Sequence, residues 1–335
     1  IIDLELWAFL CALLDFKTPV VIWLNPMLKG LAENIEKQGL KFLDLVNNES
    51  LAREILSSFP WDGKHKGFKH RFLNVSDILL LLRIFRSLLR DYGSLGTIVK
   101  GLYRRALSMS IKEPMEYVVK GLARVLREYM PKDYKRKGLL IPNPSGNSAF
   151  KRLNLFFRWM VRPYPDLGVW KFIDKKYLLV SLDTGVLRTV SRVFNMKFKG
   201  GAIWDNVLRI TEIFRKINPE DPAKYDYVFS RPAIMKYCVK DSAKNKCYLC
   251  PLNEICASAK IPPMFKTEAK MSKKEEEILN EYLALNKDKY DYVGKEVPLG
   301  GRRVDAILHD TRSVSYTHLR AHETEADLVC RLLLE

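Results

Sequence analysis

Four of the six cysteines in this 335-residue chain lie within 19 consecutive positions, as a C-x8-C-x2-C-x5-C run. The run consists of Cys238, Cys247, Cys250 and Cys256. Four thiols in so short a segment indicate a common ligand, because one loop must bring all of them together. Disulfide bonds are disfavoured, since no signal peptide is visible and Cys11 and Cys330 would remain as spare thiols.

The spacing of the four cysteines bears on which metal they hold. Structural zinc sites usually draw their ligands from two C-x2-C pairs, and only Cys247 and Cys250 form one here. The unequal gaps of eight, two and five residues favour an iron-sulfur cluster, because a single short segment can wrap such a cluster with thiolates. We predict iron-sulfur ligation by this loop and keep zinc as the alternative.

The chain is strongly basic, with 56 lysine and arginine residues against 39 acidic residues and a formal net charge of +17. Such a field suits a polyanionic partner, and we expect that partner to be nucleic acid. The alternative is a basic protein whose charge serves only solubility. A hydrophobic content of 47% excludes a disordered chain and is typical of a globular protein.

The two ends of the chain carry contrasting signals. The first 16 residues are apolar but include three acidic side chains, so the segment is too short and too charged to span a bilayer, and we predict a buried helix. Because the chain begins at Ile1, we expect the natural start to lie upstream. Residues 314–335 resemble translated sequencing-adapter read-through, and we leave them out of the fold prediction.

Helical periodicity dominates the first 260 residues. Leucine recurs at helical spacing between residues 19 and 126, and glycine or proline interrupts each segment. A tight turn at residues 144–147 precedes an amphipathic helix that begins near Ser148, and a later helix follows Asp183, a candidate N-cap. Strand signals are few until residues 296–310, which predict a hairpin around a Gly-Gly pair. We therefore predict a mainly α fold followed by a truncated α/β segment.

Lys151 and Asp183 carry the candidate chemistry. Lys151 lies in the first turn of its helix, where exposed amides disfavour an ammonium and make its proton easier to lose. A neutral amine in a desolvated pocket is a nucleophile that can attack a sugar carbon and form a Schiff base. Asp183 can accept the amine's proton and stabilise positive charge on the sugar. The alternatives are a surface lysine and a plain helix cap.

The order of these features is similar to that of the endonuclease III-like helix-hairpin-helix DNA glycosylases. Members of that family have four features in the same order along the chain: a hairpin turn, a lysine at the start of the next helix, an aspartate at the start of a later helix, and four cysteines. The resemblance is closest to a branch catalogued as a domain of unknown function and covers roughly residues 20–260. The segments that carry it are NPSGNSAFKRLNLFFRWMVR, DLGVWK, SLDTGVLR and PEDPAKYDY.

The resemblance implies a role for each matching residue. Lys151 is the Schiff-base nucleophile, Asp183 is the essential aspartate, and the four cysteines are ligands of a [4Fe-4S] cluster. Amides of the hairpin bind a DNA phosphate, so the implied DNA-binding residues are Ser145, Gly146, Asn147, Ser148 and Arg152. Gly185 stands where many relatives have histidine. Trp170, in a long interval before Asp183, is a candidate stacking platform for the base, with a core aromatic as the alternative.

The resemblance also implies a domain organisation and a fold. Residues 1–130 form an N-terminal helical part, and residues 131–262 form the helix-hairpin-helix catalytic part with the four-cysteine loop. Together they make the two-lobed helical fold of these glycosylases. Residues 263–313 begin an extra, nuclease-like domain, and residues 314–335 are the suspected artefact.

The implied activity is that of a DNA N-glycosylase with abasic-site lyase activity, which removes a damaged base through Lys151 assisted by Asp183. We expect a monomer that acts on double-stranded DNA in the cytoplasm, associated with the nucleoid, without a membrane partner. One alternative is a non-catalytic DNA-binding protein braced by an iron-sulfur or zinc site. Another is a nuclease, because GGRRVDAILHD resembles the first half of a PD-(D/E)xK fold in which Asp305 would hold a divalent metal.

Overall fold

A computed structural model describes residues 1–260, apart from the side chain of Val21, and the backbone of residues 290–299 and 302–310. The described chain is mainly helical, as predicted. None of its helices combines the length and the apolar character that crossing a bilayer requires.

The α-helices are α1 (Ile2–Leu14), α2 (Asn25–Lys37), α3 (Phe42–Asn47), α4 (Glu49–Ser58), α5 (Val75–Tyr92), α6 (Leu95–Ser108), α7 (Pro114–Glu128), α8 (Lys137–Leu140), α9 (Lys151–Val161), α10 (Thr184–Val193), α11 (Trp204–Ile217) and α12 (Tyr225–Ile234). A π-helical turn precedes α2 at Val20–Leu24. The strands are β1 (Pro60–Trp61), β2 (His65–Lys66), β3 (Tyr290–Leu299) and β4 (Arg302–Asp310); β1 pairs antiparallel with β2, and β3 pairs antiparallel with β4.

Helix α1 is a core helix, which confirms the prediction for the apolar start of the chain. Every residue from Glu5 to Leu14 is buried. The ring of Phe9 packs 4.7 Å from Phe156 of α9 and 5.7 Å from Phe85 of α5, measured between centroids. Burial of each such side chain contributes about 1.5–3 kcal/mol, so α1 is held firmly against α9.

The described residues divide into two compact units. One comprises residues 1–183 and 199–226, and the other comprises residues 184–198 and 227–260 with the β3–β4 pair. The predicted boundary at residue 130 does not coincide with this division, because α1 from the proposed first part packs on α9 from the proposed second part.

The predicted hairpin near the end of the chain is present as β3 and β4. Leu299 pairs with Arg302, and the register shifts between Tyr292 and Gly294. The Gly-Gly pair between the strands, residues 263–289 and the suspected artefact at residues 314–335 all lie outside the described residues.

A buried ionic network supports the far end of α9. Arg158 contacts Asp166 at 3.2 Å, and Arg162 contacts both Asp166 at 2.5 Å and Asp221 at 3.0 Å. Asp226 lies close to this network. Its Oδ2 accepts a 2.9 Å hydrogen bond from the Ser181 amide, while Oδ1 has no partner among the described residues. Burial raises the pKa of the Asp226 carboxyl to about 7, against the opposing effect of Arg158.

The raised pKa of Asp226 predicts a specific pH dependence of stability. Between its ordinary pKa of 3.8 and about 7, the folded chain keeps a proton that the unfolded chain releases, so stability falls as pH rises through this window. The full penalty above pH 7 is about 4 kcal/mol. Asp226→Asn cannot ionise, and we therefore expect it to gain stability over the native chain at pH 8 but not at pH 4, measured by urea denaturation.

A neighbouring carboxylate supplies the control for this prediction. Asp221 is ion-paired with Arg162, so Asp221→Asn removes a favourable partner and destabilises the chain at pH 8. A gain for Asp226→Asn that is equal at pH 4 and pH 8 would contradict the assignment of the proton to Asp226.

Candidate active site

Helix α9 begins at Lys151, three residues after the predicted start at Ser148. Ser148 instead forms an antiparallel bridge with Ile203, so it belongs to the turn that precedes the helix. Phe150, directly before the helix, has a left-handed backbone with φ 48° and is buried. Such a conformation is unfavourable for a bulky residue and is maintained by its surroundings. It turns the chain sharply and places Lys151 at the first helical position.

The side chains of Lys151 and Asp183 converge, although 32 residues separate them. The Lys151 Nζ lies 3.9 Å from the Asp183 Oδ2 and also contacts the Oδ2 of Asp15. Lys151 is 29% exposed and Asp183 is 43% exposed, whereas Asp15 is 6% exposed. The ammonium of Lys151 is thus held between one buried carboxylate and one carboxylate open to solvent.

Ser181 explains why Asp183 lies beside Lys151. The Ser181 hydroxyl donates a 3.1 Å hydrogen bond to the Lys151 carbonyl oxygen, and its amide donates to the buried Asp226. These two bonds fix the segment ahead of α10 against the first turn of α9. Asp183 comes two residues after Ser181 and immediately precedes α10. This is the position at which the sequence predicts the N-cap.

Asp15 is the site residue that the sequence prediction missed. It ends α1 as the C-cap, and its carboxylate is buried. A buried carboxylate needs a cationic or hydrogen-bonding partner, because desolvation of an unpaired charge is costly. An acidic residue at the end of a run of apolar residues in the helix was therefore a usable signal, but nothing in the sequence identified Lys151 as its partner.

Arg152 has a structural position rather than the predicted DNA contact. Its Nη1 donates to the Leu13 carbonyl and its Nη2 donates to the Leu139 carbonyl, each at 2.7 Å. The guanidinium also lies 4.5 Å from the ring centre of Phe16, and burial lowers the pKa of Arg152 to about 10. Since these partners occupy the guanidinium inside the protein, we withdraw Arg152 from the DNA-binding set. It ties α9 to the end of α1, where Asp15 lies.

Trp170 is a core residue, so its assignment to a base pocket was wrong and the core alternative is correct. The side chain is 2% exposed, and its Nε1 donates a 2.8 Å hydrogen bond to the buried carboxylate of Glu5. The rings of Phe156 and Phe157 pack against it at 5.2 Å and 6.0 Å. A nucleobase could stack on this indole only if the core opened.

The turn at residues 145–148 is at the surface, with Ser145 and Asn147 exposed. Two of its amides already have partners, since Gly146 donates to the Asn143 carbonyl at 3.0 Å and Ser145 donates to the Asn143 side chain at 3.1 Å. Asn147 accepts from the Trp204 amide through its side chain and its carbonyl. The turn is therefore firmly anchored, and the helix before it, α8, has only four residues.

The four predicted metal ligands gather in the other compact unit. Cys238, Cys247, Cys250 and Cys256 all line one cavity, and Cys238 is the most buried of them. Arg192 of α10 lies at the same cavity, where its Nη1 is 3.0 Å from the Cys238 Sγ and 2.8 Å from the Val239 carbonyl oxygen. The Asn245 side chain accepts from both Arg192 and the Val239 amide, which closes the loop after α12.

The thiols suit a metal centre in donor type, and all four line one cavity. Burial raises the pKa of Cys250 to about 11, and the other three cysteines raise it further. Metal binding would release the thiol protons, and the positive charge of the metal would offset the repulsion between the resulting thiolates. Among the described residues, no group of three or more His, Cys, Asp or Glu side chains is placed closely enough to hold a metal ion as it stands. The donor set suits either a [4Fe-4S] cluster or zinc.

Metal content distinguishes the two cofactors. We expect the anaerobically purified chain to be brown and to contain about four irons, because four thiolates hold a [4Fe-4S] cluster. Cys250→Ser is expected to lose most of the iron and the colour. Cys11→Ser is the matched control, since Cys11 is buried in α1 outside this loop, and its iron content is expected to remain unchanged. A colourless protein with one zinc would instead show the alternative site.

Comparison with known proteins places the chain in a family. No curated protein matches it, and no solved structure matches it. A family model described as "Protein of unknown function (DUF2400)" matches residues 2–235, which is more than half of the chain. The matched range includes Asp15, Lys151 and Asp183 and ends three residues before Cys238. The chain therefore belongs to the DUF2400 family.

Proposed function

We propose that this protein is a base-excision DNA glycosylase with abasic-site lyase activity. The observation that carries the proposal is the convergence of Lys151 and Asp183, with 3.9 Å between the Nζ and the nearer carboxylate oxygen. An amine beside carboxylates, at the start of a helix that follows an exposed turn, is the arrangement required for Schiff-base chemistry on a sugar. The net charge of +17 supports DNA as the partner.

The proposed reaction starts when Lys151 loses a proton and its neutral amine attacks C1′ of the damaged nucleotide. The bond between C1′ and the base breaks, and its electron pair leaves with the base. The C1′–O4′ bond then opens, and its electron pair moves to the ring oxygen. The base and the ring oxygen take up two protons, one from the attacking nitrogen and one from solvent, which leaves a protonated imine. Asp183 stabilises the positive charge that develops on the sugar.

The surface turn and the cysteine loop have supporting roles in this proposal. Contacts from the turn at residues 145–148 to the phosphate backbone would position the DNA without reading its sequence. The four cysteines would hold a [4Fe-4S] cluster, which supplies structural bracing and fixed charge to a basic loop. The damaged base must leave the stack before attack, and a mismatched or damaged base costs least to extrude.

A panel of duplexes, each with one damaged base, tests the proposal. We expect the purified chain to release at least one such base and to become covalently attached to that duplex when borohydride is present. The hydride reduces the imine to a stable amine, so the adduct reports the Schiff base directly. Release from no member of the panel, together with no adduct at a preformed abasic site, would refute the assignment.

A non-catalytic DNA-binding module is the second candidate, and the shared cavity of the four thiols favours it. Four ligands at one basic loop are sufficient to brace a DNA-binding surface without any chemistry. This alternative predicts duplex binding with neither base release nor adduct, so the same panel separates the two functions. The nuclease alternative depends on the side chain of Asp305, which lies outside what the structure describes.

A further inference from the structure

The two carboxylates at Lys151 differ in burial, in partners and in position along the chain. Asp15 is almost fully buried at the end of α1 and makes the closer contact with the Lys151 Nζ. Asp183 is 43% exposed and lies 3.9 Å away. A buried carboxylate attracts an ammonium more strongly than an exposed one does, because water screens the exposed charge. The different burial of Asp15 and Asp183 therefore suits them to different roles toward Lys151.

We infer that Asp15 is the positioning residue of Lys151: it fixes the amine in the site and sets the pH range in which that amine becomes neutral. This inference rests on the proposed function and adds a residue to the same site. Asp183 keeps the role at the sugar described above. The reacting nitrogen is thus held from inside the protein by Asp15, while the solvent-exposed side carries the carboxylate that meets the DNA.

The surroundings of Asp15 explain why its position is fixed. Its backbone follows Leu13 and Leu14, whose carbonyl oxygens accept hydrogen bonds from Arg152 at 2.7 Å and from His70 at 3.2 Å. Both bonds satisfy carbonyl groups that the end of α1 leaves without helical partners. The Asp15 carboxylate opposes the burial effect that lowers the pKa of Arg152.

The titratable groups around the amine can be assigned to their elements. Asp15 comes from the end of α1, Asp183 from the segment before α10, and Arg152 from α9 itself. The ring of His70 bonds the Leu14 carbonyl at the end of α1, and burial lowers its pKa, which favours the neutral ring at neutral pH. Replacing Asp15 removes the nearest anion and leaves the cation Arg152 in place. The loss of this anion favours the neutral amine at lower pH, because the carboxylate no longer stabilises the ammonium.

The test measures the protonation of Lys151 without DNA. Acetic anhydride labels neutral amines, and mass spectrometry of the digested chain follows labelling of Lys151 between pH 6 and pH 11. We expect Asp15→Asn to move the midpoint to lower pH by about one to three units, the range for an opposite charge at this distance. Asp183→Asn is the matched isosteric control, and its midpoint is expected to move less. A larger shift for Asp183→Asn, or no shift for Asp15→Asn, would overturn the inference.

A second measurement uses a duplex with one abasic site and borohydride. We expect the adduct rate of Asp15→Asn to begin rising at lower pH than that of the native chain. Its plateau is expected to fall by about tenfold or more, because the amine is no longer held in place. Asp15→Glu, which retains the charge on a longer side chain, is expected to keep the native labelling midpoint but lose part of the plateau rate. It also serves as the test variant if Asp15→Asn does not fold.

The two measurements separate the two ideas. If the native chain forms no adduct with abasic DNA, the proposed function fails, yet the labelling midpoints still show whether Asp15 controls Lys151. If the native chain forms the adduct and the pH profile of Asp15→Asn is parallel to the native profile, the role of Asp15 fails while the proposed function stands.

Discussion

Lys151→Ala is expected to abolish the borohydride-trapped adduct on abasic DNA and to reduce base release by on the order of a thousandfold or more, since the proposed reaction proceeds through this amine. The circular dichroism spectrum is expected to change little, because Lys151 is the first residue of its helix and is 29% exposed. Gel electrophoresis of the reduced protein–DNA adduct measures the first effect. Affinity for intact duplex is expected to remain close to that of the native chain.

Lys120→Ala is the matched control for this substitution. Lys120 is 22% exposed and ion-paired with Glu116 at 2.6 Å, so it resembles Lys151 in burial and in having a carboxylate partner. On α7, its Nζ lies 5.0 Å from the ring centre of Trp204, and its carboxylate partner is Glu116 rather than Asp15 or Asp183, so its replacement is expected to leave adduct formation intact. A Lys151→Ala protein that still formed the adduct at the native rate would show that another amine is the nucleophile.

Asp183→Asn is expected to separate base removal from reaction at a preformed abasic site. Loss of the carboxylate removes the stabilisation of positive charge on the sugar, so base release from a damaged duplex falls by about a hundredfold to ten-thousandfold. Abasic DNA already lacks the base, and Lys151 remains available to attack it, so the adduct with borohydride persists. Single-turnover release of the damaged base measures the first quantity, and fluorescence anisotropy shows that DNA affinity is retained.

Asp174→Asn is a close match for this comparison. Asp174 is 44% exposed and pairs with Lys176 at 3.0 Å, so it resembles Asp183 in exposure and in having a lysine partner, but that lysine is not Lys151. We expect it to release bases at the native rate. Equal losses for Asp174→Asn and Asp183→Asn would indicate a general effect of surface charge on DNA binding rather than a role in the reaction.

Local sequence patterns predicted the parts of this molecule that depend on local structure. The mainly helical fold, the buried first helix, the helix after Asp183 and the strand pair at β3 and β4 all follow from periodicity and from turn residues. The convergence of Lys151 with Asp183 came from the order of features along the chain and not from local pattern. The start of α9 was placed three residues early, because the bridge from Ser148 to Ile203 is a tertiary contact.

The residues that sequence reasoning placed wrongly or missed depend on long-range packing. Arg152 follows Lys151 directly, but one helical step of about 100° turns its side chain elsewhere, toward the carbonyl oxygens of Leu13 in α1 and Leu139 in α8, which accept its hydrogen bonds. Trp170 donates a hydrogen bond to Glu5, which lies 165 residues earlier in the chain. Asp15 and Lys151 are 136 residues apart. A single sequence shows that such polar groups need partners but does not show which partners they have.

The packing of α1 against α9 limits how far this protein can be shortened. The part that motifs suggest as catalytic, beginning near residue 131, contains the proposed nucleophile, the exposed aspartate and the cysteines. It would lack the aspartate that anchors the amine, the carbonyl oxygen of Leu13 that receives Arg152, and the phenylalanine that packs on the inner face of α9. A truncated chain designed from motifs alone would therefore carry every recognisable signature and still lack Asp15, the residue that holds the amine of the proposed site.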